Sequence, residues 1–383
     1  MNSFFTEDFL KAKLLYRPNR FVVRLKIDGI EYGASLPNPG KLGELFIPGV
    51  TLYVVPMRAE VKYPYRVIAV ESYSGEVIML DTHTNNKVAG YLINSSKIPS
   101  LLEYHVKKNE VTVGNSRFDF LLENEKHEEL YCEIKSCTLF GGSLAMFPDA
   151  VTTRGRRHVE ELTSMAESGI KTAVVFIIQS NNIQYFLPDF HTDPEFSETL
   201  YKSRNKIKII PVLAGWNDQL QLETKEVEVP IIWNLYEKMG RMDRGVYIML
   251  VKISEDTQLE INNSRSHHLK SGYYAYVDYE SDNLSKKIER HKRIRKKCIT
   301  ERDFLRNFAE IDSVWAIRGD SDRSCQISSA LKSISDYEIA DFGNPTCGCS
   351  SHLIFFAENP RLKRDFQELL LDYRMRFLVE EFA

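Results

Sequence analysis

The sequence predicts a multidomain α/β protein with a β-barrel at its N-terminal end. Three observations predict it. The stretch 1–80 alternates apolar and polar side chains in short runs broken by turn residues. After residue 81 the period changes, and helical spacing alternates with apolar runs of strand length. From Gly245 a new series of strands opens, after a charged segment broken by Pro230. The expected division is a small barrel over 1–80, an α/β domain over 81–215 and a linker over 216–240. An α+β domain over 241–360 and a terminal helix over 361–383 complete it.

Composition sets bounds. A chain of 383 residues has room for two or three domains with sizeable cores. Lys and Arg number 50 against 53 Asp and Glu, for a net charge of −3. That excludes a uniformly basic nucleic-acid binder, so local basic patches must do such work. The N-terminal segment carries acids where a secretory leader needs basic groups, and the six cysteines then fit reduced thiols in a cytoplasmic protein. The longest strongly apolar run, Ala173 to Ile178, is far too short to span a bilayer, so no membrane association is expected.

Within 1–80, Phe21 to Ile27 alternates, and Asp28-Gly29 turns it into a partner strand at Ile30 to Leu36. Further strands fit Thr51 to Pro56, Tyr65 to Glu71 and Val77 to Leu80. About five short strands suit a small barrel, and OB barrels bind nucleic acids on one sheet face. Arg17, Arg20, Arg24 and Lys26 put basic groups near the first strand. Asn38-Pro39-Gly40-Lys41 is a turn whose N–H groups and Lys41 can meet a phosphate. The alternative is a plain turn with a solvated lysine.

Thr82 to Asn86 is a polar start to a helix over Lys87 to Ile93, and a second helical piece surrounds Leu101. Two strands follow, Phe118 to Leu122 and Leu130 to Lys135, joined by a polar turn. Asp119 is an acid between two aromatic residues, and a carboxylate in an apolar strand is costly unless something compensates its charge. Glu133 and Lys135 are two apart and share one face. If the strands pair, two acids and a lysine converge. Such acids suit Mg²⁺ or Mn²⁺, which activates water and polarises a phosphodiester, while a lysine neutralises developing charge. The alternative is a solvated strand face.

Ser143 to Phe147 reads as a strand ending at Pro148-Asp149. From Thr153 to Ser168, Val159, Leu162, Met165 and Ala166 recur at helical spacing, and Gly169 stops the helix. Arg154, Arg156, Arg157 and His158 lie in its first turns, where cations oppose the helix dipole and invite an anionic partner, as a phosphate clamp beside the metal would; the alternative is a solvated helix end. Asp149 can cap this helix or position a second metal ion. Lys171 to Gln179 and Ile207 to Leu213 are buried strands.

In the third unit, Gly245 to Val251 and Ser271 to Val277 are strands. Lys286 to Lys297 holds eight basic residues and one acid, and its Arg290, Lys292 and Arg293 can meet phosphates. A solvated face is the alternative. Cys325, Cys347, Cys349 and His352 offer thiolates and an imidazole that suit a structural Zn²⁺ site. The alternative is reduced cysteines packed in a core. Beyond Pro360, Phe366, Leu369, Leu370, Tyr373 and Phe377 describe an amphipathic helix.

Two resemblances follow. Asp119, then Glu133-x-Lys135 on the next strand, resembles the PD-(D/E)XK nucleases. The segments Arg17 to Phe21, Leu36 to Lys41, Ser116 to Leu122, Cys132 to Leu139 and Phe147 to Gly155 resemble the sugar fermentation stimulation protein A family, which they match in order across about 1–215. The resemblance implies an OB-like barrel, a PD-(D/E)XK domain, and binding of DNA or RNA. It implies Asp119 and Glu133 as metal ligands, the Ile134 carbonyl as a further ligand, Lys135 as the group orienting the attacking water, and Arg154 on a phosphate. The third unit resembles the GIY-YIG endonuclease superfamily, in the branch ending in Cys-x-Cys-x-x-His. Tyr247 and Tyr276 fall on its tyrosine motifs, and Arg290-His291 on its basic helix. Asp278 replaces a usual Gly, and Gln326 replaces the aligned metal-binding Glu. This unit is therefore expected to bind nucleic acid without cutting it. The leading expectation for the chain is a cytoplasmic, metal-dependent nuclease. The rival is a non-catalytic DNA-binding regulatory protein that retains a nuclease fold.

Overall fold

The computed structural model describes residues 4, 8–58, 61–114, 116–223, 228–261, 265–293, 303, 305, 308–343 and 347–380. The basic run expected over 286–297 is described only as far as Arg293. The chain forms two compact units, Met1–Asn234 and Leu235–Ala383.

The first unit opens with β1 (Leu10–Asn19), β2 (Val22–Ile27), β3 (Ile30–Ser35), β4 (Thr51–Pro56), β5 (Tyr65–Glu71) and β6 (Val77–Met79). Their order is β3-β2-β1-β4-β5-β6, and β3 also pairs with β5, which closes the sheet into a barrel. Asp28 and Gly29, at φ of 48° and 86°, make the two-residue turn between β2 and β3. Leu14, Val23, Leu25, Leu52 and Val67 fill the barrel. Strand β1 lies outside the expected set. Its Lys, Ala and Leu residues favour helix, but pairing with both β2 and β4 overrides that preference.

The second part runs α1 (Thr82–Asn94), β7 (Tyr104–Val113), β8 (Ser116–Asn124), β9 (Glu129–Cys137), β10 (Leu139–Gly141) and β11 (Leu144–Phe147). Then come α2 (Thr153–Glu167), β12 (Lys171–Ile178), β13 (Tyr185–Pro188), α3 (Pro194–Ser203) and β14 (Lys208–Leu213). Helix α1 starts earlier than Lys87 because Asp81 caps it, accepting the His83 N–H at 3.1 Å. The piece around Leu101 is a single 3-10 turn. The main sheet has the order β14-β12-β9-β8-β7. Strand β12 is parallel to β9 and β14, and β8 is antiparallel to β7 and β9. Val88 and Leu92 of α1 pack on one face with Leu122, Cys132 and Ile134. Val159 and Leu162 of α2 pack on the other with Val174 and Phe176. Tyr53, Val55 and Ile68 point out of the barrel into the α1-side core. Within the expected linker, Trp216 is buried and bridges Val77, Glu228 bridges Val212, and Ile231 bridges Phe186.

The second unit comprises β15 (Gly245–Ile253), β16 (Thr257–Ile261), β17 (Arg265–Leu269), β18 (Gly272–Glu280), α4 (Leu284–Lys292) and β19 (Glu310–Arg318). It ends with α5 (Ser324–Ser333), β20 (Tyr337–Glu338), β21 (Leu353–Phe356) and α6 (Arg364–Leu371). The sheet order is β19-β15-β18-β21-β20, antiparallel throughout. Leu284 and Ile288 of α4 cover one face. Ile327 and Leu331 of α5, with Phe366 of α6, cover the other. Among the described residues, no helix is long and apolar enough to cross a membrane.

Candidate active site

The site forms where β8 parts from β9. Their pairing ends at Phe120 and Cys132. Phe120 faces the α1-side core, but Phe118 faces the α2-side core. A regular strand would put both on one face, so β8 turns over at Asp119. Asp119 leaves the ladder, and its Oδ2 accepts the Ile134 N–H at 2.8 Å. Its Oδ1 accepts from Asn86 Nδ2 on α1, also at 2.8 Å. The Ile134 N–H thus meets the site, on the strand edge where its carbonyl also lies.

Glu133 and Lys135 share a face of β9, and Lys135 Nζ donates to Glu133 Oε1 at 2.5 Å. The Nδ1 of His158 on α2 lies 2.6 Å from the same oxygen. Arg154 Nε donates to His158 Nε2 at 3.4 Å. Nε2 is therefore the accepting nitrogen, and Nδ1–H donates to Glu133. The other Glu133 oxygen, Oε2, is buried and has no hydrogen-bond partner among the described residues. Thr152 fixes α2 here, accepting the Gly155 N–H at 3.1 Å.

Burial pushes the Asp119 carboxyl up, and the charge of Glu133 pushes the same way against the Ile134 and Asn86 donors. Burial also works against the Glu133 carboxylate, but His158 and Lys135 outweigh it and hold its carboxyl below the ordinary value. Two acids that raise one another's cost, one with an orphaned oxygen, fit a hard divalent cation. The donor set is all oxygen, as Mg²⁺ or Mn²⁺ prefers.

The remaining expected groups divide. Arg154 reaches the site through His158. Arg156 is drawn away, pairing with Glu160 at 3.8 Å and with Glu195 of α3. Arg17 donates to the carbonyls of Gly40 and Arg20 at 2.9 Å and lies over the Phe46 ring. Burial lowers its pKa to about 10. Arg17 therefore braces the 38–41 turn, and Arg20 and Lys41 are the exposed cations there. Asp149 does not cap α2, since Thr152 does. Its Oδ2 instead accepts the Leu42 N–H at 3.2 Å, tying that turn to the end of β11.

Sequence reasoning assigned His158 and Asn86 no role at the acids. Their polar character was visible, but their partners stand 25 and 33 residues away.

In the second unit, the Tyr247 hydroxyl donates to Asp278 Oδ2 at 3.3 Å and lies 3.1 Å from His291 Nε2. The Tyr247 and Tyr276 ring centres are 6.3 Å apart. Arg290 grips the buried Asp303 at 3.2 and 3.0 Å. The structure thus gathers both tyrosines and the α4 residues, with two carboxylates beside them. Lys292 pairs with Glu289 at 2.6 Å, and Arg293 is exposed. Gln326 is exposed on α5, which packs on the sheet face opposite Tyr247. The ligand atoms of Cys325, Cys347, Cys349 and His352 all lie within 4.8 Å of one another. His352 Nδ1 is 3.0 Å from the Val277 carbonyl, so Nδ1–H donates there. Its Nε2 lone pair is left facing Cys347 Sγ at 3.3 Å and Cys325 Sγ at 3.9 Å. This group can hold a metal ion, with the histidine oriented from behind.

A barrel closed through β3 and β5, leading into a mixed sheet that carries an acid pair, defines an OB barrel joined to a nuclease-like α/β core. The chain belongs to the sugar fermentation stimulation protein family. Residues 15–80 match the SfsA N-terminal OB domain, and 83–219 match the sugar fermentation stimulation protein RE domain. Residues 246–375 match a domain of unknown function, DUF123. A sugar fermentation stimulation protein homolog from Methanosphaera stadtmanae is 40% identical over 207 residues, covering 52% of this chain and 85% of the relative. One from Clostridium kluyveri is 35% identical over 230 residues, covering 59% and 99%. Among solved structures, Pyrococcus furiosus SfsA in complex with Ca²⁺ superposes with a TM-score of 0.56 at 30% identity, covering 60% of this chain and 99% of that one.

Proposed function

We propose that the chain is a metal-dependent nuclease that hydrolyses phosphodiester bonds in DNA or RNA. The observation that carries this reading is the acid pair, in which the buried Glu133 has an Oε2 without a partner among the described residues and burial and the Glu133 charge push the half-buried Asp119 carboxyl up. Asp119 and Glu133 would hold Mg²⁺ or Mn²⁺, with the Ile134 carbonyl a further ligand. A bound cation would polarise the phosphodiester and activate a water. Lys135 would orient that water and neutralise charge that develops on the phosphate. His158 holds Glu133 in place, and Arg154 steadies His158 while its outer nitrogens face a phosphate. The Ca²⁺ complex of the Pyrococcus furiosus relative supports a hard-cation site in this family. The exposed Arg20 and Lys41 extend the phosphate path along the barrel.

A second reading is a DNA-binding regulatory protein that keeps the fold. It draws on the double engagement of Glu133 Oε1 by Lys135 and His158, which looks like a settled structural network. Cleavage assays on single and double strands of DNA and RNA, with and without Mg²⁺ or Mn²⁺, separate the two.

For the second unit we read a nucleic-acid-binding role through Arg293 and the α4 face, without cleavage. We read Cys325, Cys347, Cys349 and His352 as a structural Zn²⁺ site, since thiolates and imidazole are zinc ligands. We read the setting as cytoplasmic and reducing, where these cysteines stay as thiols.

A further inference from the structure

A cleft of about 670 Å³ opens beside Asp119, between α1 and β7. Asn86, Lys87, Gly90 and Asn94 recur at helical spacing and make one wall. The facing wall is β7, the edge strand of the sheet. Its register against β8 slips between Val106 and Lys108. Such a bulge re-aims side chains, and Lys108 and Asn109 line the cleft just past it. Asp119 and Phe120 form the floor. Lys107 is committed to Glu123 and Glu129, at 2.7 Å each. Lys87 and Lys108 stand exposed on opposite walls.

The cleft lies on the α1 side of the sheet, whereas Arg154 and His158 approach from the α2 side. A strand crossing the acid pair would therefore meet cations on both sides. The volume falls in the small-molecule range of roughly 300–1,000 Å³. That volume suits about one or two nucleotides, and an unpaired strand can lower its bases into it, which a duplex cannot do without unpairing.

We propose that this cleft binds single-stranded nucleic acid, with Lys87 and Lys108 on its phosphates and Asn94 and Asn109 on its polar edges. Its delivery of the strand to Asp119 rests on the nuclease reading, but the binding itself does not. The test uses the full chain with Ca²⁺ and short labelled oligonucleotides of DNA and of RNA, single-stranded and duplex, read by fluorescence anisotropy. The single strand should bind more tightly than the duplex, and the better of DNA and RNA names the sugar. The double variant Lys87→Ala/Lys108→Ala should lose about tenfold in single-strand affinity at low salt. Each phosphate contact contributes about 0.7 to the slope of log K against log salt, so the slope should fall by about 1.4. Both positions are exposed, and an unchanged melting temperature would show that the variant folds. Parental single-strand affinity in the double variant overturns the proposal. So does an equal loss for single strand and duplex. If the parent cuts nothing with Mg²⁺ while the double variant still loses single-strand binding, the nuclease reading fails and the cleft stands.

Discussion

His158 Nδ1 and Glu133 Oε1 lie 2.6 Å apart, and Lys135 donates to that same oxygen. One carboxylate oxygen thus takes both donors, while Oε2 stays buried without a partner. On the nuclease reading, the network would sort the two oxygens, one held for orientation and the other for a metal ligand. His158→Ala should fold but lose about 10–100-fold in metal affinity and cleavage, as expected when a group that orients a ligand is removed. His158→Gln should recover part of this. Parental metal dependence in His158→Ala would remove the histidine from the site.

Asp119→Asn and Glu133→Gln should abolish metal-dependent cleavage and leave nucleic-acid binding in place. Lys135→Ala should keep metal affinity and lose about 10²–10³-fold in rate, the pattern of a group acting in the transition state. Divalent cations should raise the melting temperature of the parent and of Lys135→Ala, but not of Asp119→Asn. Cleavage at parental rates in either acid variant would overturn the assignment.

Asp149 gives a pH test away from the acid pair. Burial pushes its carboxyl up, against the Leu42 and Lys41 N–H groups that it accepts. A raised folded pKa means that the folded chain holds the proton longer than the unfolded one. The stability this confers is full below the ordinary carboxylate range and is lost as pH rises through the raised value. Asp149→Asn should flatten that part of the melting-temperature profile. Asp149→Ala, which also strands the Leu42 N–H, should cost about 1–3 kcal/mol at any pH. An unchanged profile in Asp149→Asn would show that the proton plays no part.

The full chain, purified without chelator, should carry about one zinc ion, and a Co²⁺ replacement should show thiolate charge-transfer absorption. Cys347→Ser/Cys349→Ser should lose both the metal and the absorption. A metal-free chain that takes up no Co²⁺ would leave the cysteines as packed thiols.

In the Asp119→Asn background, the intact second unit should bind nucleic acid and cut none. Metal-dependent cleavage there would overturn the reading of this unit as a binding domain.

The acids were legible because Asp119 sits where an apolar strand should have no charge, and Glu133 and Lys135 obey strand period. Nothing in that period reveals that β8 turns over at Asp119, because the turn follows from the end of pairing with β9. His158 looked like one more basic residue in a helix start, since its role depends on a partner brought across the sheet. Arg17 looked like a phosphate contact for the same reason. Its carbonyl partners are Arg20, in its own turn, and Gly40 and Lys41, in a loop beyond the next two strands. Strand β1 was hidden by helix-favouring residues. The sheet pairing that overrides them is non-local.

Tyr53, Val55 and Ile68 belong to the barrel by sequence, yet they lie in the core beneath α1. A barrel severed near residue 80 would carry that greasy flank into water, at about 1.5–3 kcal/mol for each large side chain uncovered. Barrel and sheet should therefore melt as one body, in a single calorimetric transition. A crossover or fusion that parts them should yield two poorly soluble halves, whereas a cut after Asn234, where the first compact unit ends, should leave that shared core whole.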